Sequence, residues 1–346
     1  MMNSDHPCIQ INRVLINGIP LDLLTIAFQF ELPIKFVVPQ GSILGPLLFL
    51  IFINDLPNAS NFYIKLFADD TFLCAQNSDL LLLEKEVNFE IVKVYEWLVA
   101  NRLTLNISKS KFMLVSNKKI ESCVFEVKLN DTLLERCEKY KYLGVMFDKN
   151  LSWKSHIEYV SGKISKVCGS LSKLRHSVNT QLLVEIYNAL IHSYIRYGII
   201  TWGNAADTVL SSLQTIINRA IRIITFAPFG RIDINSLFKE LKILVVSDTC
   251  FLEKSKFIFK LKNGHLPVTI ANHFEYLTPN HATTYSYSLR PSNRQKYIVP
   301  RLRSSENSIQ VNGEKIWNKI PESVKQHSTL ITFKRELKLY LLEDRS

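Results

Sequence analysis

Over its first 150 positions the chain alternates short apolar and polar runs, and beyond them it settles into longer helical periods. IQINRVLING, at 9–18, has the period of a strand and ends on an Asn-Gly turn signal. PIKFVVPQGS, at 33–42, reads as a strand running into a loop. ILGPLLFLIFINDLP, at 43–57, suits a short buried helix, with Pro46 in its first turn and Pro57 just past its end. FYIKLFA and TFLCAQ flank Asp69 and Asp70 and form a hairpin. Residues 78–102 predict a helix that Ser78 can cap, with Leu81, Val87, Ile91, Val94 and Leu98 on its apolar face. LTLNISKSKFMLVS follows as a loop and a strand. FEVKLNDTLLERCEKYKYLGVMFD reads as short strands around an Asn-Asp turn.

This pattern predicts an α+β fold with a mostly antiparallel sheet over 1–150. The character then changes. Residues 153–177, 179–203 and 207–226 are helical, and APFGRID breaks the series. Residues 151–230 therefore form a helical region. Residues 231–346 form a third region of unassigned role, with a Pro/Ser/Arg-rich loop near 285–305 and a closing helix that carries Phe333, Leu337, Tyr340 and Leu341 at helical spacing.

Composition narrows the class. Hydrophobic residues make up 47% of 346, enough for a substantial core and typical of a globular chain. The longest strongly apolar run, LLFLIFI, is far short of the ~20 residues that span a bilayer. The start lacks the basic and apolar pattern of a signal peptide. Six scattered cysteines, none in a CxxC pair, argue against a structural zinc site or a disulfide framework and point to an intracellular, reducing location. Charge is uneven. Residues 1–100 hold 5 Lys/Arg against 11 Asp/Glu, whereas 101–346 hold 37 against 20, which suggests a polyanion partner downstream.

Chemistry concentrates at FADDTF, 67–72, where two carboxylates sit side by side between apolar residues. Asp is costly to bury uncompensated, so the pair marks either a hairpin turn or a metal-holding hairpin tip. The eight histidines show no ligand spacing. Trp153, Trp202 and Trp317 read as core residues.

In order, VPQGSILGP at 38–46, FADD at 67–70, LTLNISKSK at 103–111 and KYLGVMFD at 141–148 resemble the palm of reverse transcriptases from non-LTR, jockey-like retrotransposons. The resemblance implies a partial right-hand polymerase palm, then a thumb-like helical region and a C-terminal region. It implies RNA-directed DNA polymerase chemistry in which two Mg²⁺ (or Mn²⁺) ions clamp the attacking and leaving oxygens. Asp69 and Asp70 would be the metal ligands and Lys109 a catalytic group near the triphosphate. Gln40, Gly41 and Ser42 would lie against nucleotide and template, and Tyr142, Leu143 and Gly144 would hold the primer end. Lys154, Lys163, Lys166, Lys173 and Arg175 would contact the nucleic-acid backbone. The implied partners are an RNA template, a DNA primer and dNTPs, with no membrane and no predictable protein partner.

The chain departs from this pattern ahead of Gln40. The family's first palm carboxylate lies in a stretch resembling F-x-D-L-x-x-A-F-D. DLLTIAF at 22–28 echoes it with one extra residue and with Gln29 where its second acid belongs, and Val37 replaces the usual Gly. The expectation is a chain that starts midway through its palm, lacks fingers and binds nucleic acid without turnover. The alternatives are an active polymerase and a product that aggregates through open strand edges.

Overall fold

The computed structural model describes residues 22–27, 30–31, 44–68, 70–115, 125–129, 132–228, 232–272, 274 and 309–343. Several expectations fall outside them: the strand at 9–18, the PQGS loop with Gln40, Gly41 and Ser42, Asp69 itself, the Asn130–Asp131 turn and the loop near 285–305. The chain divides into two compact units, Met1–Leu151 and Ser152–Ser346.

Unit 1 is built on a five-stranded sheet. Its strands are β1 (Asp22–Ala27), β3 (Tyr63–Phe67), β4 (Asp70–Asn77), β6 (Lys111–Val115) and β9 (Glu135–Arg136), in the order β3-β4-β1-β6-β9. All pairs are antiparallel except β6–β9. Three small antiparallel pairs complete it. They join β2 (Phe30–Glu31) to β5 (Thr104–Leu105), β7 (Lys128–Leu129) to β8 (Thr132–Leu133), and β10 (Lys139–Tyr142) to β11 (Val145–Asp148). The central strand is β1, the stretch read only as an echo of a motif.

The helix α1 (Leu44–Ile53) forms as expected, yet it is not buried. Leu44, Leu47, Leu48, Leu50, Ile51 and Phe52 are exposed, and Ile53 alone is fully covered. The long helix α2 (Leu80–Ala100) begins one residue later than the Ser78 cap predicts. Asp79 is the cap, and its carboxylate accepts from Leu81 N at 2.8 Å and Leu82 N at 3.2 Å. Its buried line is Leu83, Val87, Glu90, Ile91, Val94 and Leu98, whereas Leu81 is exposed. Glu90 enters the core because its oxygens are satisfied: Asn61 N donates at 2.7 Å, Asn61 Nδ2 at 3.0 Å and Lys93 Nζ at 2.7 Å. Burial pushes the Glu90 carboxyl up, but these donors together hold it below its usual range.

Unit 2 is helical. Its first half comprises α3 (Lys154–Leu174), α4 (Thr180–Tyr187), a π turn at Asn188–His192, α5 (Ser193–Arg196), α6 (Ile199–Trp202) and α7 (Asp207–Thr225). Its second half comprises α8 (Ile234–Glu240), α9 (Val246–Lys262), α10 (Val268–Ala271), α11 (Ile309–Asn318), α12 (Glu322–Lys325) and α13 (Leu330–Glu343). α3 packs on α7 along Ile157, Val160, Ile164, Cys168 and Leu171. α9 runs through the middle, and Phe259 on it stacks on Phe333 of α13 at 4.5 Å between ring centroids. Trp153 and Trp202 are buried and Trp317 packs against Phe333, so all three serve the core. At Gly203 the backbone closes on α9. A Cβ there would lie 2.4 Å from Ile199 O and 2.9 Å from Cys250 Sγ, and Lys254 Nζ donates to Gly203 O at 3.1 Å. Among the described residues no helix is long and apolar enough to cross a membrane, and Cys74, Cys137, Cys168 and Cys250 form no disulfide.

Candidate active-site hairpin

β3 and β4 pair as far as Phe67 and Asp70, so the chain reverses tightly between these two residues. Tight hairpin loops turn with positive φ, which suits Gly or Asn. Ala68 takes φ +48° without that advantage. A Cβ-bearing residue held there stores about 1–2 kcal/mol, and stored strain of this kind gathers at functional loops. Asp70 opens β4 and is half-buried. The next residue, Thr71, is fully buried with no hydrogen-bond partner for its hydroxyl.

The register decides what stands beside this tip. Phe72 pairs with Ala27 of β1, and Ala27 pairs with Lys111 of β6, so the end of β1, the start of β6 and the third residue of β4 lie in one row. At ~4.8 Å between neighbouring strands, Lys111 lies about 10 Å across the sheet from Phe72. The 3-10 turn Ile107–Lys109 leads into that end of β6. Asn106 caps it by accepting from Lys109 N at 3.3 Å, and Lys109 is exposed. Lys111 is tied to Glu135 at 2.7 Å.

Residues two apart in a strand share a face, so Asp70 and Phe72 lie on one side of the sheet. The Phe72 ring meets Tyr142 on that side, 6.0 Å between centroids. Tyr142 is the last residue of β10. The loop that follows, Leu143–Gly144, has φ +42° and +81°, and Tyr142 pairs across it with Val145. YLGV is therefore a tight hairpin end rather than a continuous core strand, and Gly144 is there because the turn needs a positive φ. Asp70, the Lys109 turn and the Tyr142–Gly144 hairpin thus lie towards one end of the sheet.

Asp22 does not join them. It pairs with Asn77, seven residues along β4 from Asp70, or about 23 Å from the tip at ~3.3 Å per residue. Among the described residues no group of three or more His, Cys, Asp or Glu side chains is placed to hold a metal ion.

Residues 6–147 match the family described as reverse transcriptase (RNA-dependent DNA polymerase). That stretch is similar to a reverse transcriptase domain. This is the family that the four ordered motifs pointed to. The chain is 28% identical over 211 residues to the RNA-directed DNA polymerase from mobile element jockey of Drosophila funebris, a match that takes in 57% of this chain and 23% of that protein. It is 26% identical to the jockey polymerase of Drosophila melanogaster, over 57% of this chain and 22% of that one. It is 25% identical to the probable RNA-directed DNA polymerase from transposon BS of the same fly, over 66% and 26%. The matches span about a quarter of the length of these relatives.

The basic residues named on α3 do not share one face. At ~100° per residue, Lys166 and Lys173 point away from the buried line and Lys154 and Lys163 lie at its margins. Arg175, the cap, falls on the buried side, where its guanidinium stacks on Phe226 at 4.0 Å. Lys163 lies over the Tyr159 ring at 5.7 Å. Two functional features escaped the sequence reading. The strained Ala68 shows only as backbone geometry. The burial of Glu90 needed the hydrophobic line of α2, which four consecutive leucines obscure.

Proposed function

We propose that this chain binds an RNA–DNA duplex as a member of the RNA-directed DNA polymerases and does not extend primers on its own. The supporting observation is the register at the tip: in the row from Phe72 through Ala27 to Lys111 no carboxylate stands beside the tip, and Glu135, the next residue in that row, is about 14 Å across the sheet from Phe72 and tied to Lys111 at 2.7 Å. Asp69 and Asp70 are adjacent hard oxygen donors, and their chemistry fits one Mg²⁺ or Mn²⁺. A two-ion site needs a further acidic ligand, and the donors present do not fit that arrangement. Asp69 and Asp70 would hold such an ion, and its charge would offset the repulsion of the adjacent carboxylates.

The chain's own residues then position rather than react. Lys109 neutralises a phosphate at the end of β6. The backbone of Leu143 and Gly144 offers a close approach for a primer strand, and Gln40, Gly41 and Ser42 face nucleotide and template. Lys166 and Lys173 on α3 supply salt-sensitive, sequence-independent contacts to phosphate. The test is fluorescence anisotropy with a labelled RNA–DNA hybrid in Mg²⁺. Binding should fall steeply with salt and be unaltered by Asp69→Asn. Absence of binding at low salt would refute the reading.

A further inference from the structure

Unit 2 gathers positive charge at a place that the polymerase reading leaves unused. Arg196, at the end of α5, donates through Nε to Glu253 Oε1 at 2.9 Å, and Lys256 donates to Glu253 Oε2 at 2.6 Å. From α13, Lys334 acts electrostatically on both Lys256 and His192, and Lys338, one turn on, also acts on His192. Lys242, just past α8, acts in turn on Lys338. Arg196 and Lys256 therefore flank the Glu253 carboxylate, and Lys334, Lys338 and Lys242 extend the positive charge from there, with His192 half-buried beside them. The Phe259–Phe333 stack fixes α13 on α9, so the lysines cannot simply drift apart. Lys256 and Lys338 are held below the usual lysine range, first by burial and then by their cationic neighbours, Lys256 against the pull of Glu253. Such crowding is unfavourable in the free protein and is relieved by an anion.

We propose that Arg196, Lys242, Lys256, Lys334 and Lys338 form a phosphate-binding site for a nucleic-acid backbone. This rests on the reading that the chain handles nucleic acid. Glu253 is the positioning residue, because it holds Arg196 and Lys256 in place from beneath: Arg196 is 42% exposed, Lys256 and Glu253 only 13%. A chain of phosphates fits better than a single one. One phosphate monoester brings about two negative charges at most, too few for cations spread over α5, α9, α13 and the turn after α8.

The experiment compares hybrid binding by the full chain, by Lys334→Gln/Lys338→Gln and by a charge-matched control, Lys85→Gln/Lys315→Gln, from 50 to 300 mM salt. Two lost phosphate contacts should make the slope of log K against log salt shallower by roughly 1.5–2, with the control unchanged and all three proteins melting alike. A double variant with the wild-type slope overturns the site while leaving the duplex-binding reading intact. An equal change in the control overturns it as an effect of net charge. No binding by any of the three overturns both.

Discussion

Acidification should unfold unit 2 through His156. The ring is 2% exposed, packed 5.3 Å from Trp202 on α6, and burial holds its pKa down to about 4. An unfolded chain takes up the proton near pH 6.5. The folded state thus refuses a proton that the unfolded state accepts. The stability is fully present above pH 6.5 and is lost as pH falls towards 4. A gap of about 2.5 units at ~1.36 kcal/mol each sets a ceiling of about 3.4 kcal/mol, of which about 2 kcal/mol is gone by pH 5. His192 adds to this in the same direction. Burial holds it to about 4, helped by Arg196, Lys338 and Lys334 and opposed by Glu253. The assay is urea unfolding at pH 7.5 and pH 5.0, followed by tryptophan fluorescence, since Trp153, Trp202 and Trp317 lie in unit 2. His156→Phe keeps the ring and removes the titration. The stability difference between the two pH values should shrink by about 2 kcal/mol, or roughly 1 M urea in the midpoint at a typical m of ~2 kcal/mol/M. An unchanged difference in the variant would refute the reasoning.

Three further outcomes are expected. Gly203→Ala should destabilise unit 2 by about 2–3 kcal/mol in thermal or urea melts, because the new Cβ meets backbone at Ile199 O and cannot push it aside. Glu90→Ala should cost unit 1 about 2–3 kcal/mol, since Asn61 and Lys93 lose a shared charged acceptor; Glu90→Gln, which keeps one acceptor, should cost less. Ala68→Gly should raise unit 1 stability by about 0.5–1 kcal/mol, the strain released less the extra freedom of glycine in the unfolded chain.

Local pattern carried most of unit 1 and the helices of unit 2. The hairpin of β3 and β4 was legible because its strands alternate around a turn-forming pair, and α2 because its apolar positions recur for six turns. The errors were of azimuth and of burial. Ser78 and Asp79 are both good caps, and only the extended backbone of Asp79 chooses between them. Leu80 to Leu83 place a leucine on every side of α2, so the face was set by Glu90 and its donors. DLLTIA was weighed for its aspartate and not for its strand, yet it is the strand that organises the sheet. The Glu253 cluster was invisible because its members run from Arg196 to Lys338 and meet only once the helices pack. The basic residues of α3 were named by sequence position alone, and they separate once each is given its angle.

Primer extension on an RNA template tests the central claim most directly, with Mg²⁺ and then Mn²⁺, comparing the chain with Asp69→Asn. The account predicts folded protein that binds the primed template and adds no nucleotide in either form. Extension that Asp69→Asn abolishes would contradict it and would require a third acidic ligand at the hairpin end of the sheet. Glu31 in β2, four residues past Ala27, would then be the first residue to replace, ahead of Asp22 at the far end of β1.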